Sequence, residues 1–244
     1  MKAVEENAAS LQEHMAQTYV NLRIGIAIIA IALPILLWAG GLVLGSGGLL
    51  ESMSAYYHSV MRDTFVGALV AIGLFLYLYK GFSTKENWAL NGAGVFAVVI
   101  AMVATSRPET PAGVESHVHN ASAVLFFLCI AYVAIFRASD TLSLIGDPQR
   151  AASLRTKYRT LGWFMVASPL LAVVLTYVLD RGSRGRSFVF FVETVAVWTF
   201  ATYWLLKSRE IRETGAEGLA LEAKIEASPT PPTPASPGCL VRVA

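Results

Sequence analysis

Residues Ile24–Leu44 read IGIAIIAIALPILLWAGGLVL, 21 residues without one charged side chain. A helix needs about 20 mainly apolar residues to cross a hydrocarbon core of roughly 30 Å, and this run has that length. It lacks the form of a cleaved leader. It starts only after residue 23, and Glu5, Glu6 and Glu13 precede it, so it reads as a retained membrane anchor.

Five further stretches follow the same rule: Thr64–Tyr79, Trp88–Thr105, Val118–Phe136, Leu161–Leu179 and Phe188–Leu206. The second is short, and Val60 and Met61 extend it. All are continuously apolar rather than alternating, which selects helices over a barrel. Composition agrees, because only 15% of the 244 residues are charged, against about a quarter in an average soluble domain. The expected fold is all-α: a six-helix transmembrane bundle over residues 24–207, preceded by an amphipathic leader at 1–23. Pro34 and Pro169 fall inside spans, where kinks are expected. The pairs Gly67/Gly73 and Gly92/Gly94 suggest close helix approach.

Basic residues set the orientation. Lys80, Lys85, Arg137, Arg150, Arg155, Lys157, Arg159, Lys207, Arg209 and Arg212 lie in the loops after spans two, four and six. Of the 19 Lys and Arg, the other side holds only Arg62, Arg107, Arg181, Arg184 and Arg186. The richer side is the cytoplasmic one, and an even number of spans puts both termini there. In a bacterium the membrane would be the inner (plasma) membrane. Residues 208–244 then form a cytoplasmic tail. Within it, SPTPPTPASPG (228–238) is too polar and Pro-rich to build a core, and is expected to be disordered.

A net charge of +2, spread over short loops, gives no footprint for nucleic acid. Two cysteines, Cys129 and Cys239, make neither a disulfide framework nor a zinc knuckle.

The unusual polar residues gather at the end away from the basic loops. His58, His117 and His119 are there, three of the four histidines. In ESMSAYYHSVMRD (51–63), one continuous helix would set Ser54, His58 and Arg62 on a shared face. A plainer reading makes this an interfacial helix with Tyr56 and Tyr57 at headgroup depth. Glu193 lies about 7 Å into the sixth span, counted from Phe188. An ionisable group at that depth faces the bundle interior and is paired, and Arg62 is the expected partner. Ser54, Tyr57, Arg62 and Glu193 are therefore the candidate ligand-binding residues. In ESHVHN (115–120), His117 and His119 point about 200° apart on a helix, and could share a metal only in a loop. With His58 they would supply three nitrogens for zinc, and Asp63 or Glu115 would be the catalytic candidates as general base on its water.

The stretches SMSAYYH (52–58), RDTFVG (62–67) and HNASA (119–123), the last followed by Phe126, Phe127 and Tyr132, resemble the Frag/DRAM-like group of six-span membrane proteins and their bacterial relatives of unknown function. The resemblance covers roughly residues 50–137. It implies six spans with cytoplasmic ends and an association with membrane trafficking and lipid handling, but no established chemistry. Ser54-x-x-x-His58 with Asp63 nearby is also similar to the Ser/His/Asp pattern of alkaline ceramidase and PAQR-type membrane hydrolases, which implies zinc held by three histidines. The chain departs from that pattern in having six expected spans rather than seven, and no His-x-x-x-His in the last.

Two readings stay open. In one, an outward-facing polar pocket binds a lipid headgroup or a partner protein. In the other, the chain is a zinc-dependent lipid amidase or esterase. A transporter would need a relay of deep ionisable groups, and Glu193 stands alone. Expected partners are membrane lipids, with a partner protein or a second copy of the chain. Zinc is the one cofactor in view.

Overall fold

Apolar runs of membrane length can satisfy their backbone polar groups internally only as helices. The computed structural model describes residues 2–45, 49–106, 113–179 and 187–219, and among them there is no strand. The chain is all-α. Its long helices are α1 (Lys2–Leu44), α2 (Arg62–Leu78), α3 (Thr84–Met102), α4 (Val114–Tyr132), α5 (Pro148–Leu179) and α6 (Ser187–Thr214). A 3₁₀ helix, Ser54–His58, precedes α2, and α4 runs on through a π turn (Val133–Arg137) into a 3₁₀ segment (Ala138–Leu144). Each long helix packs on the next in chain order, and α6 returns against α1, so the six close into a ring. Tyr56, Tyr79, Ile130, Phe200 and Trp204 fill its interior.

Three helical stretches are long and apolar enough to cross a membrane: Glu13–Leu44, Val114–Leu144 and Phe188–Thr214. All six long helices also turn large apolar side chains outward, among them Ile35, Leu74, Val95, Leu125, Leu171 and Val195. A water-soluble monomer rarely exposes contiguous apolar area beyond a few hundred Å². Lipid is the solvent that fits this surface.

The leader is not a separate unit. Residues 2–23 hold good helix formers and no proline, so nothing interrupts α1 before the anchor. From Val20 onward α1 is part of the bundle, with Arg23 fully buried. Both prolines are carried inside continuous helices, and the Ser168 hydroxyl beside Pro169 donates to the Phe164 carbonyl at 2.8 Å. The expected boundary at residue 207 likewise falls within α6. Lys207, Ser208, Glu210 and Ile211 are all buried, and the helix ends at Thr214 because Gly215 turns left-handed at φ +64°. The stretch at 228–238 lies outside the described residues.

Among the four glycines singled out above, the close contact joins Gly73 on α2 to Gly94 on α3. A Cβ on Gly73 would sit 2.8 Å from the Gly94 carbonyl oxygen, and one on Gly94 only 2.6 Å from that of Gly73. Backbone cannot yield as a side-chain tip can. Gly94→Ala is therefore expected to destabilise the bundle by about 1–3 kcal/mol. Gly67→Ala, which meets open space, should melt at or above the wild-type temperature in detergent. Equal melting of the two variants would contradict this packing.

Candidate binding pocket

At the end of the ring away from the basic loops, the segment between α1 and α2 folds over the start of α6. The Phe190 N–H donates to the Glu51 carbonyl at 3.1 Å, and the Met53 N–H donates to Glu193 Oε2 at 2.6 Å. Tyr56, fully buried, packs its ring against Phe190 with centroids 6.0 Å apart. The 3₁₀ helix is held from its other side as well, because His58 Nε2 donates to the Thr105 carbonyl at 2.7 Å.

These ties border an open cavity of about 920 Å³. Its described lining includes Glu51, Ser52, Ser54, His58, Thr105, Ser106, Asn120 and Glu193. Two carboxylates are present, and neither Lys nor Arg appears among the described lining residues. One Glu193 oxygen is occupied by Met53, and the other accepts from no described residue. Glu193 can thus accept a further hydrogen bond from a ligand in the cavity.

Ser54, His58 and Glu193 come together here, whereas Tyr57 and Arg62 do not join them. The expected pairing of Arg62 with Glu193 does not form. Ser59 is extended (φ −114°, ψ 177°), so the chain breaks between the 3₁₀ helix and α2, and the i, i+4 alignment with Arg62 is lost. Arg62 lies instead 4.5 Å over the Tyr57 ring and donates to its hydroxyl at 2.8 Å.

The histidines separate too. Helix α4 begins at Val114, which sends His117 to the surface and His119 inward. The His119 Nδ1–H donates to the Val103 carbonyl at 2.7 Å, so His58 and His119 both satisfy main-chain oxygens just past α3. Among the described residues no three His, Cys, Asp or Glu side chains gather to hold a metal ion. Of the three histidines named as a zinc set, His58 and His119 thus bond loop carbonyls and His117 is exposed. Asp63 and Glu115 are exposed in the first turns of α2 and α4, where a carboxylate complements the helix dipole.

Sequence reasoning passed over Ser52, Ser106 and Asn120. The signal for Asn120 was its position one helical turn beyond Ser116, whose hydroxyl reaches Ser106 at 2.8 Å. The opposite end of the ring was missed almost entirely. Arg23 donates to Tyr79 at 3.0 Å and to Ser208 at 3.3 Å, and pairs with Glu217. Lys207 donates to Glu210 at 2.9 Å, to Thr141 at 2.6 Å and to the Ala138 carbonyl at 2.8 Å. Glu86, capped into α3 by Ser83, is buried beside them, and that burial raises its carboxyl above the usual range.

Comparison with known proteins finds no matching family model, no matching curated protein and no matching solved structure.

Proposed function

We propose that the chain is a six-span membrane protein, basic loops in the cytoplasm, whose opposite pocket binds the amine-bearing headgroup of a lipid from the outer leaflet. The observation that carries this is Glu193 in the cavity lining, whose second carboxylate oxygen accepts from no described residue. The serines, Asn120 and the Thr105 carbonyl supply further acceptors for N–H groups. Six spans are supported by the sequence of α5, continuously apolar from Leu161 to Leu179, and by the outward apolar faces of α2 and α3. Lipid handling is also what the resemblance to Frag/DRAM-like proteins implies. The three histidines are dispersed, and no set of three metal-ligating side chains gathers among the described residues to favour the hydrolase reading.

A hydrogen bond to a charged group contributes about 1.5–3 kcal/mol. Glu193→Gln should therefore weaken phosphatidylethanolamine binding tenfold or more, read by native mass spectrometry on the purified chain. Binding of phosphatidylglycerol should not change. Retention of phosphatidylethanolamine by a folded Glu193→Gln protein would exclude this role for the pocket.

A further inference from the structure

A second cavity, of about 390 Å³, opens between α5 and α6 at the basic end of the ring. Its walls carry Arg150 and Lys157 from α5 and Arg209 from α6, over Leu154 and Leu206. We propose that this cavity is a phosphate site that holds the headgroup of an anionic phospholipid. The assignment is independent of the pocket around Glu193.

The charge balance carries the first step. The lining includes two carboxylates, but Glu210 is already held by Lys207, Thr141 and Tyr158. Glu213 is shared by Arg150 and Arg209. Three lining cations therefore face one solvent-side carboxylate. Lys157 makes no ion pair with any described residue. Arg155, Arg159 and Arg212 are exposed nearby and add to the positive field. The Arg150 and Arg209 side chains are 50% and 76% exposed, so both can turn to a ligand without leaving a buried partner.

Depth carries the second. On α5, the outward Trp163 and Phe164 begin six residues beyond Lys157, about 9 Å along the axis. On α6, the outward Leu205 lies four residues from Arg209, about 6 Å. Each headgroup layer is roughly 5–8 Å thick. The cations therefore sit where lipid phosphates lie, beside a tryptophan of the kind that marks the interface. The volume is more than ten times the roughly 30 Å³ of one water, room for a phosphodiester and its glycerol. Leu154 and Leu206 offer the first acyl carbons an apolar floor, which a free phosphate ion would not use.

The test titrates the full chain in detergent with phosphatidylglycerol, chain-matched phosphatidylcholine and inorganic phosphate, counting bound molecules by native mass spectrometry. Phosphatidylglycerol should saturate at one tightly held molecule per chain, and phosphatidylcholine should not. A basic residue near the surface contributes about a fivefold factor in anionic-lipid affinity. Lys157→Ser with Arg209→Ser should thus weaken phosphatidylglycerol about 30-fold, while Arg155→Ser, which lies outside the cavity and acts only through the general field, should weaken it by less than about fivefold. Glu213→Gln removes the competing carboxylate and should tighten binding about fivefold, a gain that misfolding cannot produce. Equal retention of phosphatidylcholine, or no response to the double change and to Glu213→Gln, would overturn the site. Inorganic phosphate binding as tightly as phosphatidylglycerol would overturn its assignment to lipid. Phosphatidylethanolamine binding through Glu193 should be untouched by all these changes, so the two sites fail or stand separately.

Discussion

Glu210→Leu is expected to destabilise the folded chain by about 3–5 kcal/mol, because it strands Lys207 in the interior. Lys207 is 3% exposed and Glu210 fully buried at the side chain, so water cannot take over either charge. Glu210 also accepts the hydroxyls of Thr141 and Tyr158, and through them joins α6 to α5 and to the 138–144 segment. Burial and the adjacent Glu210 hold the Tyr158 hydroxyl well above its usual pKa, so it remains a donor. For a domain of this size the loss corresponds to a melting temperature lower by roughly 10 °C. Lys207→Met alone should lose a similar amount. Lys207→Met with Glu210→Leu should recover most of it, since an apolar pair leaves no unmatched charge. Additive losses in the double variant, read by thermal melting in one detergent, would contradict the coupling.

Glu217→Ala is the second large loss expected, again about 3 kcal/mol or more, because Arg23 is 0% exposed at the side chain and pairs with Glu217. Tyr79 and Ser208 would still accept from Arg23, but neither carries charge. The same physics sets where the chain can be cut. Ending it after Gly215 removes Glu217 and the buried Ala216, and should destabilise as much as the point change. Deleting 228–244 removes a Pro/Ser/Thr-rich stretch with little apolar surface to bury, and should leave the melting temperature unchanged. Equal loss from the two truncations would mean that the distal tail carries the stabilising contact.

The contrast between these truncations shows where the sequence could be read and where it could not. Apolar length and the excess of Lys and Arg are properties of consecutive residues, so the helical class and the membrane character were legible directly. The partners of buried charges are set by rotation about each helix axis. Lys207 was therefore counted as a loop residue and Arg23 fell within the leader, although both are buried in the bundle. A trace was present. Tyr203, Lys207, Glu210 and Thr214 repeat at helical spacing, which continues the inward face of α6 past Leu206. Glu193 was legible by depth, because an acid five residues into an apolar run is unusual in itself. Its bond to the Met53 N–H was not, since a loop 140 residues away supplies it. Arg62 was placed with Glu193 by assuming one helix from Ser54 onward. The extended Ser59 breaks that periodicity, and Arg62 goes to Tyr57.

The proposal as a whole turns on six spans with the Glu193 pocket facing out and the basic end facing in. Single cysteines in a background carrying Cys129→Ala and Cys239→Ser read this directly. Ser54→Cys lines the pocket, and Ser143→Cys lies exposed at the basic end between α4 and α5. On intact cells, a membrane-impermeant maleimide should label Ser54→Cys and leave Ser143→Cys unlabelled until the membrane is permeabilised. Labelling of Ser143→Cys on intact cells, with Ser54→Cys protected, would invert the orientation and contradict an outward-facing pocket.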